Sequence, residues 1–451
     1  MANSATAKNK TLIVGLGKTG LSCARYLAAQ GVELAVTDSR EHPPGLEQLQ
    51  SLYPDLAIFI GGFLPEVFQA ANHLVVSPGV PLSEPLIQAA RDEGAEVMGD
   101  IELFARAAKA PVVAITGSNG KSTVTTLLGE MARMAGIKVA IGGNLGEPAL
   151  DLLDDEMDLY VLELSSFQLE STWSLKPAAA VVLNVSADHM DRYPGLDDYA
   201  ATKAAVYRHA TAAVINRDDR LVATMAGSVA QQVGFTLGEP EEDDFGLMAH
   251  AGETWLARGR ETLISANELR IKGHHNLANA LAALALGSLV GLPMKAMLTA
   301  LRTFAGLPHR TQWVAEKRGL HWYNDSKGTN PGATMAALRG FYSASDASRT
   351  VLIAGGDCKG ADFTELAPVA ALTTRAVILI GRDAPLLDEV LGDSCHLLHA
   401  ASLEDAVSKA AEVGRVGDRV LLSPACASFD MYRNFEERGD AFVRAVEALP
   451  A

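Results

Sequence analysis

Short apolar runs alternate with helix-length amphipathic stretches through the first hundred residues. The apolar runs are TLIVGLG, VELAVTD, AIFIGG and HLVVSPGV, and the stretches between them include TGLSCARYLAAQG. Parallel neighbouring strands need a crossover connection of about a dozen residues or more, and a helix usually supplies it. The spacing therefore predicts a doubly wound unit with a parallel sheet.

The same pattern returns in two further units. The second begins near residue 99 with PVVAITGS, the amphipathic helix KSTVTTLLGEMARMAG, and the strands DLYVLELS and AAAVVLNVS. Between 238 and 269 an acidic stretch and short alternating segments predict a small antiparallel patch. The third unit begins near residue 306 and contains the strands TVLIAGG, RAVILIG and RVLLSPA. Three α/β domains are therefore predicted.

The composition argues against several classes of protein. The 451 residues include 38 Lys and Arg against 54 Asp and Glu, a net charge of −16 that argues against a general surface for nucleic acid or anionic membranes. The start MANSATAKNK lacks the apolar core of a secretory signal, and LAALALGSLVGL is too short to span a bilayer. Four cysteines without a C-x-x-C pair predict reduced, buried thiols rather than a disulfide framework or a zinc site. We expect a cytoplasmic protein that binds neither nucleic acid nor membrane.

The first glycine motif raises the hypothesis of a nicotinamide-dependent oxidoreductase. Gly15, Gly17 and Gly20 match G-x-G-x-x-G between an apolar strand and a helical run. Asp38 closes the next strand, at about the place where NAD enzymes hold the ribose. This hypothesis leaves the rest of the chain unexplained.

A second glycine loop predicts ATP binding. ITGSNGKST lies between the strand PVVAITGS and a helix, so its backbone N–H groups and the helix N-terminus form an anion site. Lys121 supplies positive charge to the β- and γ-phosphates, and Ser122 supplies an oxygen for Mg²⁺. The common P-loop pattern has glycine where this chain has Ile115, so the loop reads T-G-x-x-G-K-S. A non-catalytic nucleotide-binding regulator would also keep this loop, but an oxidoreductase has no use for it.

Polar side chains follow the next two apolar strands. Glu163 ends DLYVLE, and His189 and Asp191 come just after AAAVVLNVS. Ligands gather at the carboxyl ends of strands in open α/β sheets. A carboxylate and an imidazole at that edge can hold Mg²⁺ or orient water around phosphates.

Several motifs, in the same order along the chain, resemble those of the Mur ligase family. They are TGSNGKST, ELSSFQLE, NVSADHMDRY, GHHNLANA, LPHR, NDSKGTNP and SPACASFDMYRNFEERG, and the resemblance runs from about residue 11 to the end. GLGKTG, SPGV, GGNLG, DHMDRYPG and SPACASFD resemble, more narrowly, the members that use D-glutamate. The resemblance implies three domains: an N-terminal Rossmann-like domain for a UDP-sugar (1–99), a central P-loop ATPase-like domain with a mixed sheet (100–305), and a C-terminal Rossmann-like domain for the amino acid (306–451).

The activity implied by the resemblance is ATP-dependent, ADP-forming ligation of D-glutamate to UDP-N-acetylmuramoyl-L-alanine in cytoplasmic peptidoglycan precursor synthesis. ATP would phosphorylate the terminal carboxylate, and the amine of D-glutamate would attack the resulting acyl phosphate. A carboxylate is a poor electrophile, and the chain offers no Ser-His-Asp or Cys-His pair that suggests covalent catalysis by the enzyme. The alternative within the class is another Mur ligase, or a folylpolyglutamate-type ligase, with a different amino acid. We expect a monomer.

The resemblance also implies roles for individual residues. Those matching ATP-contacting positions are Gly117, Ser118, Asn119, Gly120, Lys121, Ser122, Thr123, Asn276, Asn279, Arg310, Asp325 and Lys327. Those matching UDP-substrate positions are Lys18, Thr19, Asp38, Ser39, Arg40, Ser77, Gly79 and Asn144. Those matching D-glutamate positions are Thr329, Lys359, Ser428 and Phe435. The implied catalytic residues are Lys121, Glu163, His189 and Lys203, and the implied Mg²⁺ ligands are Ser122, Glu163, His189 and Lys203.

The role of Lys203 rests on the resemblance alone. Its local pattern, an isolated lysine on an Ala-rich helix with Tyr199 and Tyr207 on the same face, favours a surface lysine. The family carries a carbamylated lysine at this position. A carbamate turns the cation into an anion, which can bind Mg²⁺ where an ammonium would repel it.

Overall fold

The computed structural model describes residues 10–190, 192–271, 273–342 and 347–450. The first unit is a parallel sheet in the order β3-β2-β1-β4-β5, the strand order of a Rossmann fold. Its strands are β1 (Thr11–Val14), β2 (Leu34–Asp38), β3 (Ala57–Ile60), β4 (His73–Val76) and β5 (Glu96–Met98). Its helices are α1 (Lys18–Ala29), α2 (Leu46–Leu52), α3 (Pro65–Gln69) and α4 (Pro85–Asp92), and the next helix, α5 (Asp100–Ala107), begins the second unit.

The second unit is built on a mixed sheet in the order β14-β13-β12-β11-β10-β9-β6-β8-β7. Its strands are β6 (Val112–Thr116), β7 (Val139–Gly143), β8 (Leu159–Glu163), β9 (Ala179–Val182), β10 (Ala212–Asn216), β11 (Gln231–Phe235), β12 (Phe245–His250), β13 (Glu253–Arg258) and β14 (Glu261–Ser265). Its helices are α6 (Lys121–Met134), α7 (Ser166–Glu170), α8 (Leu196–Ala204), α9 (His274–Leu289) and α10 (Met294–Thr303). The strands β12, β13 and β14 pair antiparallel, which confirms the predicted antiparallel patch.

The third unit has the sheet order β15-β16-β20-β17-β18-β19, in which only the edge pair β15 and β16 of the described strands is antiparallel. Its strands are β15 (Gln312–Lys317), β16 (Leu320–Asn324), β17 (Thr350–Gly355), β18 (Thr374–Ile380), β19 (Leu397–His399) and β20 (Arg419–Leu422). Its helices are α11 (Pro331–Phe341), α12 (Leu366–Thr373), α13 (Ala384–Leu391), α14 (Leu403–Val413) and α15 (Phe435–Ala448). The predicted α/β architecture of three domains is confirmed.

The buried apolar clusters are not distributed as one per unit. The first two units share one buried cluster, in which Ile13 of β1 and Met98 of β5 belong with Val112 of β6 and Tyr160 of β8. The third unit has its own clusters on the two faces of its sheet. Because burial of apolar surface is the main stabilising term in packing, this shared core stabilises the contact between the first two units.

The structure differs from the sequence prediction around Lys203. The helix α8 ends at Ala204 and continues as a 3₁₀ turn over Ala205–Tyr207, so Tyr207 does not share a helical face with Lys203. The Tyr207 hydroxyl instead donates to the carbonyl of Val214 in β10. A 3₁₀ turn advances the chain by about three residues per turn rather than 3.6, which rotates the later side chains away from the helical register.

Two further expectations concern the burial of the cysteines and the absence of a membrane-spanning helix. All four cysteines are free thiols; Cys23, Cys358 and Cys426 are buried, whereas Cys395 is only partly buried. The prediction of buried thiols is therefore wrong for Cys395 alone. No helix among the described ranges is long and apolar enough to cross a membrane.

Candidate functional site

The loop after β6 depends on glycine for its shape. Gly117 and Gly120 have φ of +146° and +86°, conformations that residues with a Cβ rarely adopt. A Cβ on Gly120 would also clash with Oδ1 of Asn279. The helix α6 begins at Lys121, so the positive end of its dipole faces the loop. This is the strand–turn–helix context that a phosphate-loop motif requires.

Lys121 folds over this loop. Its Nζ donates to the carbonyls of Gly117 and Ser118 at 2.9 and 3.0 Å. Burial lowers the pKa of the Lys121 ammonium, while the charge of Glu163 acts in the opposite direction. An anion bound at the loop would supply compensating negative charge to this buried ammonium.

A cavity of about 380 Å³ lies between this loop and the third unit, and we call it the phosphate-loop cavity. Residues predicted to bind ATP that line it are Asn119, Gly120, Thr123, Asn276, Asn279, Arg310, Asp325 and Lys327. The other four, Gly117, Ser118, Lys121 and Ser122, belong to the loop and the first turn of α6. The structure thus brings residues from two units to one cavity.

Asp325 and Lys327 are both perturbed by burial in this cavity. Burial raises the pKa of Asp325 to about 6, although its oxygens accept hydrogen bonds from Ser423 Oγ at 2.7 Å and Thr311 N at 3.0 Å. Burial lowers the pKa of Lys327 to about 8, and the nearby charge of Arg310 lowers it further. Both groups therefore change charge close to neutral pH.

A second cavity, of about 530 Å³, lies beside the glycine loop of the first unit, and we call it the N-terminal cavity. Every residue predicted to bind the UDP-substrate lines it: Lys18, Thr19, Asp38, Ser39, Arg40, Ser77, Gly79 and Asn144. The wall is completed by residues of the second unit, including Gly143 and Gln168. The cavity therefore extends from the first sheet towards the second.

Asp38 is engaged within the protein rather than free to hold a ribose. Its Oδ1 accepts from the backbone N and Nε of Arg40 at 2.9 and 2.8 Å. Its Oδ2 accepts from Leu16 N and from Nη2 of Arg40, both at 2.7 Å. Burial acts to raise the pKa of Asp38, but these bonds outweigh it and the pKa is lowered. A carboxylate offers about four lone-pair sites, so Asp38 orients Arg40, and the oxidoreductase hypothesis loses its ribose acceptor.

A chain of hydrogen bonds joins the two cavities. Nη2 of Arg310 donates to Oγ of Ser122 at 2.6 Å, and that hydroxyl donates to Oε2 of Glu163 at 2.5 Å. The other oxygen of Glu163 accepts from Nδ2 of Asn144 at 2.7 Å. Arg310 lines the phosphate-loop cavity and Asn144 lines the N-terminal cavity. Glu163 at the carboxyl end of β8 therefore lies where the two cavities approach each other.

Lys203 is buried, contrary to what its local pattern favoured. It is 1% exposed, its Nζ donates to the carbonyl of Gly117 at 3.0 Å, and that Nζ lies 4.3 Å from the ring centroid of Tyr199. Burial lowers the pKa of Lys203 well below its usual range, and the charge of Lys121 lowers it further. The structure thus places Lys203 against the phosphate loop.

The predicted magnesium ligands fall into two pairs: one pair is joined by a hydrogen bond, and both members of the other pair lie beside the ring of Tyr199. Ser122 and Glu163 are hydrogen-bonded to each other. His189 lies beside Tyr199, with 6.5 Å between ring centroids, and Lys203 contacts the same ring. Across the described ranges, no three His, Cys, Asp or Glu side chains cluster closely enough to hold a metal ion.

His189 is held in an uncommon backbone conformation. Its φ is +57°, and its ring lies edge-on to Phe167 with 4.8 Å between centroids. Left-handed conformations of non-glycine residues are uncommon and cluster at functional sites. Asp191, the other polar residue predicted here, lies outside the described residues.

The predicted D-glutamate residues lie around the carboxyl edge of the third sheet. They are Thr329 after β16, Lys359 after β17, Ser428 after β20, and Phe435 at the start of α15. Lys359 is exposed, and its Nζ lies 4.9 Å from the ring centroid of Phe429. The ring centroid of Phe435 lies 4.0 Å from Nζ of Lys327. This edge therefore adjoins the phosphate-loop cavity.

Sequence reasoning missed several polar residues that line the cavities. In the phosphate-loop cavity these are Asn184, Ser186, Asn216, His275, Thr311 and Arg339. Asn184 and Ser186 belong to NVSADHMDRY and His275 to GHHNLANA, so the motifs themselves contained the signal. Gln168 of ELSSFQLE is a comparable omission in the N-terminal cavity.

Comparison with protein families gives three consecutive matches. The MurD-like N-terminal domain of the Mur ligases matches residues 9–99, the Mur ligase middle domain matches residues 115–287, and the glutamate ligase domain of the Mur ligases matches residues 309–426. The UDP-N-acetylmuramoylalanine-D-glutamate ligase of Nitrosococcus oceani is 56% identical over 97% of this chain and 96% of its own length. The enzyme of the same name from Pseudomonas aeruginosa is 52% identical over 97% of this chain and 98% of its own length.

Solved structures show the same fold at much lower identity. The UDP-N-acetylmuramate-alanine ligase MurC of Thermotoga maritima superimposes with a TM-score of 0.60, at 18% identity, over 97% of this chain and 99% of that chain. MurF of Acinetobacter baumannii gives a TM-score of 0.58, at 16% identity, over 99% and 93%. These similarities establish the fold, and the full-length similarity to the curated relatives establishes the family. The chain belongs to the Mur ligase family.

Proposed function

We propose that this chain is an ATP-dependent ligase that joins D-glutamate to UDP-N-acetylmuramoyl-L-alanine in peptidoglycan precursor synthesis. The two relatives described above carry the name of this activity over nearly the full length of the chain. Two cavities of suitable position support it, one beside the phosphate loop and one beside the N-terminal glycine loop. ATP would occupy the first and the UDP-substrate the second.

The main support for this proposal is the series of hydrogen bonds that connects the two cavities. An acyl phosphate forms only if the γ-phosphate of ATP and the substrate carboxylate meet. Arg310, Ser122, Glu163 and Asn144 connect the two cavities through distances of 2.5 to 2.7 Å. The reacting groups would therefore meet near Glu163 and Ser122, with both substrates held by rigid elements on either side.

The chemistry follows in two steps. A carboxylate oxygen of the UDP-substrate attacks the γ-phosphorus, the bond from that phosphorus to the bridging oxygen breaks, and ADP leaves. The amine of D-glutamate then attacks the acyl carbon, inorganic phosphate leaves with the electron pair of the C–O bond, and the nitrogen loses a proton to water. Lys121 and Arg310 supply positive charge to phosphate oxygens in the first step, and Arg310 can do so as a planar donor.

Ser122 and Glu163 fit a magnesium site. Both side chains present oxygen, the ligand atom that Mg²⁺ prefers, and they are 2% and 3% exposed. When bound, Mg²⁺ neutralises charge on the β- and γ-phosphate oxygens. We propose that His189 and a carbamylated Lys203 complete the site. The burial of Lys203 and its lowered pKa support this, because only a neutral amine attacks carbon dioxide to form a carbamate.

Other assignments remain proposals of the same kind. Thr329, Lys359, Ser428 and Phe435 would hold D-glutamate, with Lys359 pairing to a carboxylate. Asn276, Asn279, Asp325 and Lys327 would contact ATP, and Arg40 would contact the UDP-substrate. We place the domain boundaries at 99/100 and 305/306, and propose a cytoplasmic monomer. The separate apolar cores of the third unit support the second boundary.

Phosphate release from ATP tests the proposal directly. The assay contains ATP, MgCl₂, UDP-N-acetylmuramoyl-L-alanine and D-glutamate, and each is omitted in turn. We expect turnover only with all four present, and none when L-glutamate replaces D-glutamate. Turnover that ignores D-glutamate would overturn the proposal.

Two further arms separate the alternatives. Meso-diaminopimelate, L-lysine or L-alanine supporting faster turnover than D-glutamate would assign the chain to a different ligase of the family. Reduction of NAD or NADP in the presence of any UDP-sugar would revive the oxidoreductase, and we expect none, because the oxygens of Asp38 are bonded within the protein.

A further inference from the structure

Two cysteines that are 68 residues apart in sequence meet in the third unit. Sγ of Cys358 and Sγ of Cys426 are 2.9 Å apart, and the two residues are 3% and 1% exposed. Neither pattern nor spacing in the sequence predicts this pair. No catalytic or binding role described above uses either thiol.

The backbone around the pair is also suited to a crosslink. Asp357 and Ala427 exchange both backbone hydrogen bonds, at 3.0 and 2.8 Å, in an isolated antiparallel bridge. Cys358 and Cys426 are each one residue along from this bridge, where facing residues of antiparallel segments have Cα atoms about 4.5 Å apart. Disulfides join Cα atoms about 4.4 to 6.8 Å apart. Two independent observations, the sulfur contact and the bridge, therefore bring these residues within bonding geometry.

We propose that Cys358 and Cys426 are a peroxide-oxidisable thiol pair whose disulfide weakens D-glutamate binding. The thiol of one cysteine loses its proton, and the resulting thiolate attacks hydrogen peroxide. The O–O bond breaks, a sulfenic acid forms, and the departing hydroxide takes up the proton to become water. The second sulfur attacks the sulfenic sulfur, and a second water leaves. Overall two thiols lose two electrons and two protons, and hydrogen peroxide becomes two molecules of water.

The link to D-glutamate comes from the neighbouring residues and rests on the proposed function. Lys359 directly follows Cys358, and Ser428 comes two residues after Cys426. Bond formation would bring the sulfurs from 2.9 Å to about 2.05 Å. The two sulfurs would then move together by nearly an ångström, and the crosslink would fix the loops that carry Lys359 and Ser428 to each other. Small displacements of binding residues weaken contacts to a bound substrate.

The surroundings determine how fast the pair reacts. The contact with Cys358 and burial both raise the pKa of the Cys426 thiol. Little thiolate is therefore present at neutral pH, and oxidation is slow. Access is through the loop that carries Cys358, because Lys359 and Gly360 beside it are exposed. We expect millimolar hydrogen peroxide to act over minutes to hours rather than seconds.

Thiol counting tests the crosslink independently of ligase activity. The folded protein is treated with hydrogen peroxide, denatured, alkylated, and measured by intact mass and peptide mapping. We expect wild type to lose two of its four free thiols and to give a peptide crosslinked between Cys358 and Cys426. The variant Cys395→Ser should behave as wild type, and Cys358→Ser should form no such crosslink. Four alkylated thiols after treatment, or a crosslink through Cys395 instead, would overturn the pair.

Kinetics test the consequence. In oxidised wild type, the KM for D-glutamate should rise about three- to tenfold while the KM for ATP stays constant, because only the loops next to the D-glutamate site are displaced. Dithiothreitol should restore the original KM, and Cys358→Ser should be insensitive to peroxide. A crosslinked protein with an unchanged KM for D-glutamate would overturn the proposal. Untreated protein without ligase activity would instead refute the proposed function, and the thiol count would still decide whether the pair forms.

Discussion

Replacement of Arg310 by alanine should lower kcat/KM for ATP while the protein remains folded. Nη2 of Arg310 donates to Oγ of Ser122 at 2.6 Å, across the boundary between the second and third units. We propose that Arg310 also donates to a phosphate oxygen of ATP, and a hydrogen bond to a charged group contributes about 1.5–3 kcal/mol. Since about 1.4 kcal/mol corresponds to a factor of ten, kcat/KM for ATP should fall by about 10- to 150-fold. Arg310→Lys keeps the charge but loses the planar donor geometry, so its loss should be smaller.

Arg302 provides a matched control for this prediction. It lies on α10, outside both cavities, and its Nε pairs with Glu268 at 2.7 Å on the surface. Exposed ion pairs contribute about 0–1 kcal/mol, so Arg302→Ala should keep kcat/KM for ATP unchanged. Calorimetry should show that Arg310→Ala binds the UDP-substrate as wild type does, because the N-terminal cavity is untouched. An Arg310→Ala variant that retains kcat/KM for ATP within about threefold of wild type would lose less than the energy of one such bond. That result would refute a bond from Arg310 to ATP.

Four other perturbations follow from the same site. The pH profile of kcat/KM for ATP should be bell-shaped, falling below about pH 6 as Asp325 gains a proton and above about pH 8 as Lys327 loses one; an Asp325→Asn variant that keeps the acid limb would contradict this assignment. Lys203→Ala should abolish ligation while the circular dichroism spectrum stays that of the folded protein, and near-normal activity would refute a metal-ligand role. Gly120→Ala should raise the KM for ATP at least tenfold, because φ is +86° and the new Cβ would meet Asn279; calorimetry should show unaltered affinity for the UDP-substrate, and an unchanged KM would argue that ATP does not approach this turn. Small-angle scattering should show a smaller radius of gyration with ATP and UDP-substrate bound, because the third unit has its own core; an unchanged radius would argue against domain closure.

Much of the fold could be predicted because its strands are short, apolar and separated by helix-length stretches. Strands such as β6 and β17 are buried along their whole length and are visible in the sequence as continuous apolar runs. β7 was missed because VAIGG is only partly buried, lies at the edge of the sheet and contains two glycines, which weaken a strand pattern. The 3₁₀ turn after α8 was missed because helical periodicity does not distinguish it from another turn of α-helix.

One part of the candidate site is formed by residues close together in sequence, and the other part by residues far apart in sequence. The phosphate loop is local, since glycines, a lysine and a helix start within seven residues, so the motif alone indicates its shape. The path from Arg310 through Ser122 and Glu163 to Asn144 is not local: its first bond joins residues 188 apart, and no pattern along the chain specifies which arginine of the third unit reaches the loop. Family motifs pointed to these residues, but only the fold shows that one carboxylate accepts hydrogen bonds from both Ser122 and Asn144.

The burial of Lys203 also could not be predicted from the sequence around it. On a nine-residue helix of low amphipathicity, a lysine between alanines carries no mark of burial, because alanine is compatible with core and surface alike. What buries Lys203 is the packing of α8 against the phosphate loop and the ring of Tyr199 beside its ammonium. A buried cation with no carboxylate in hydrogen-bonding contact among the described residues is costly. Conversion of its nitrogen to a carbamate, as we propose, would change this unfavourable position into one suited to a cation held by Ser122 and Glu163.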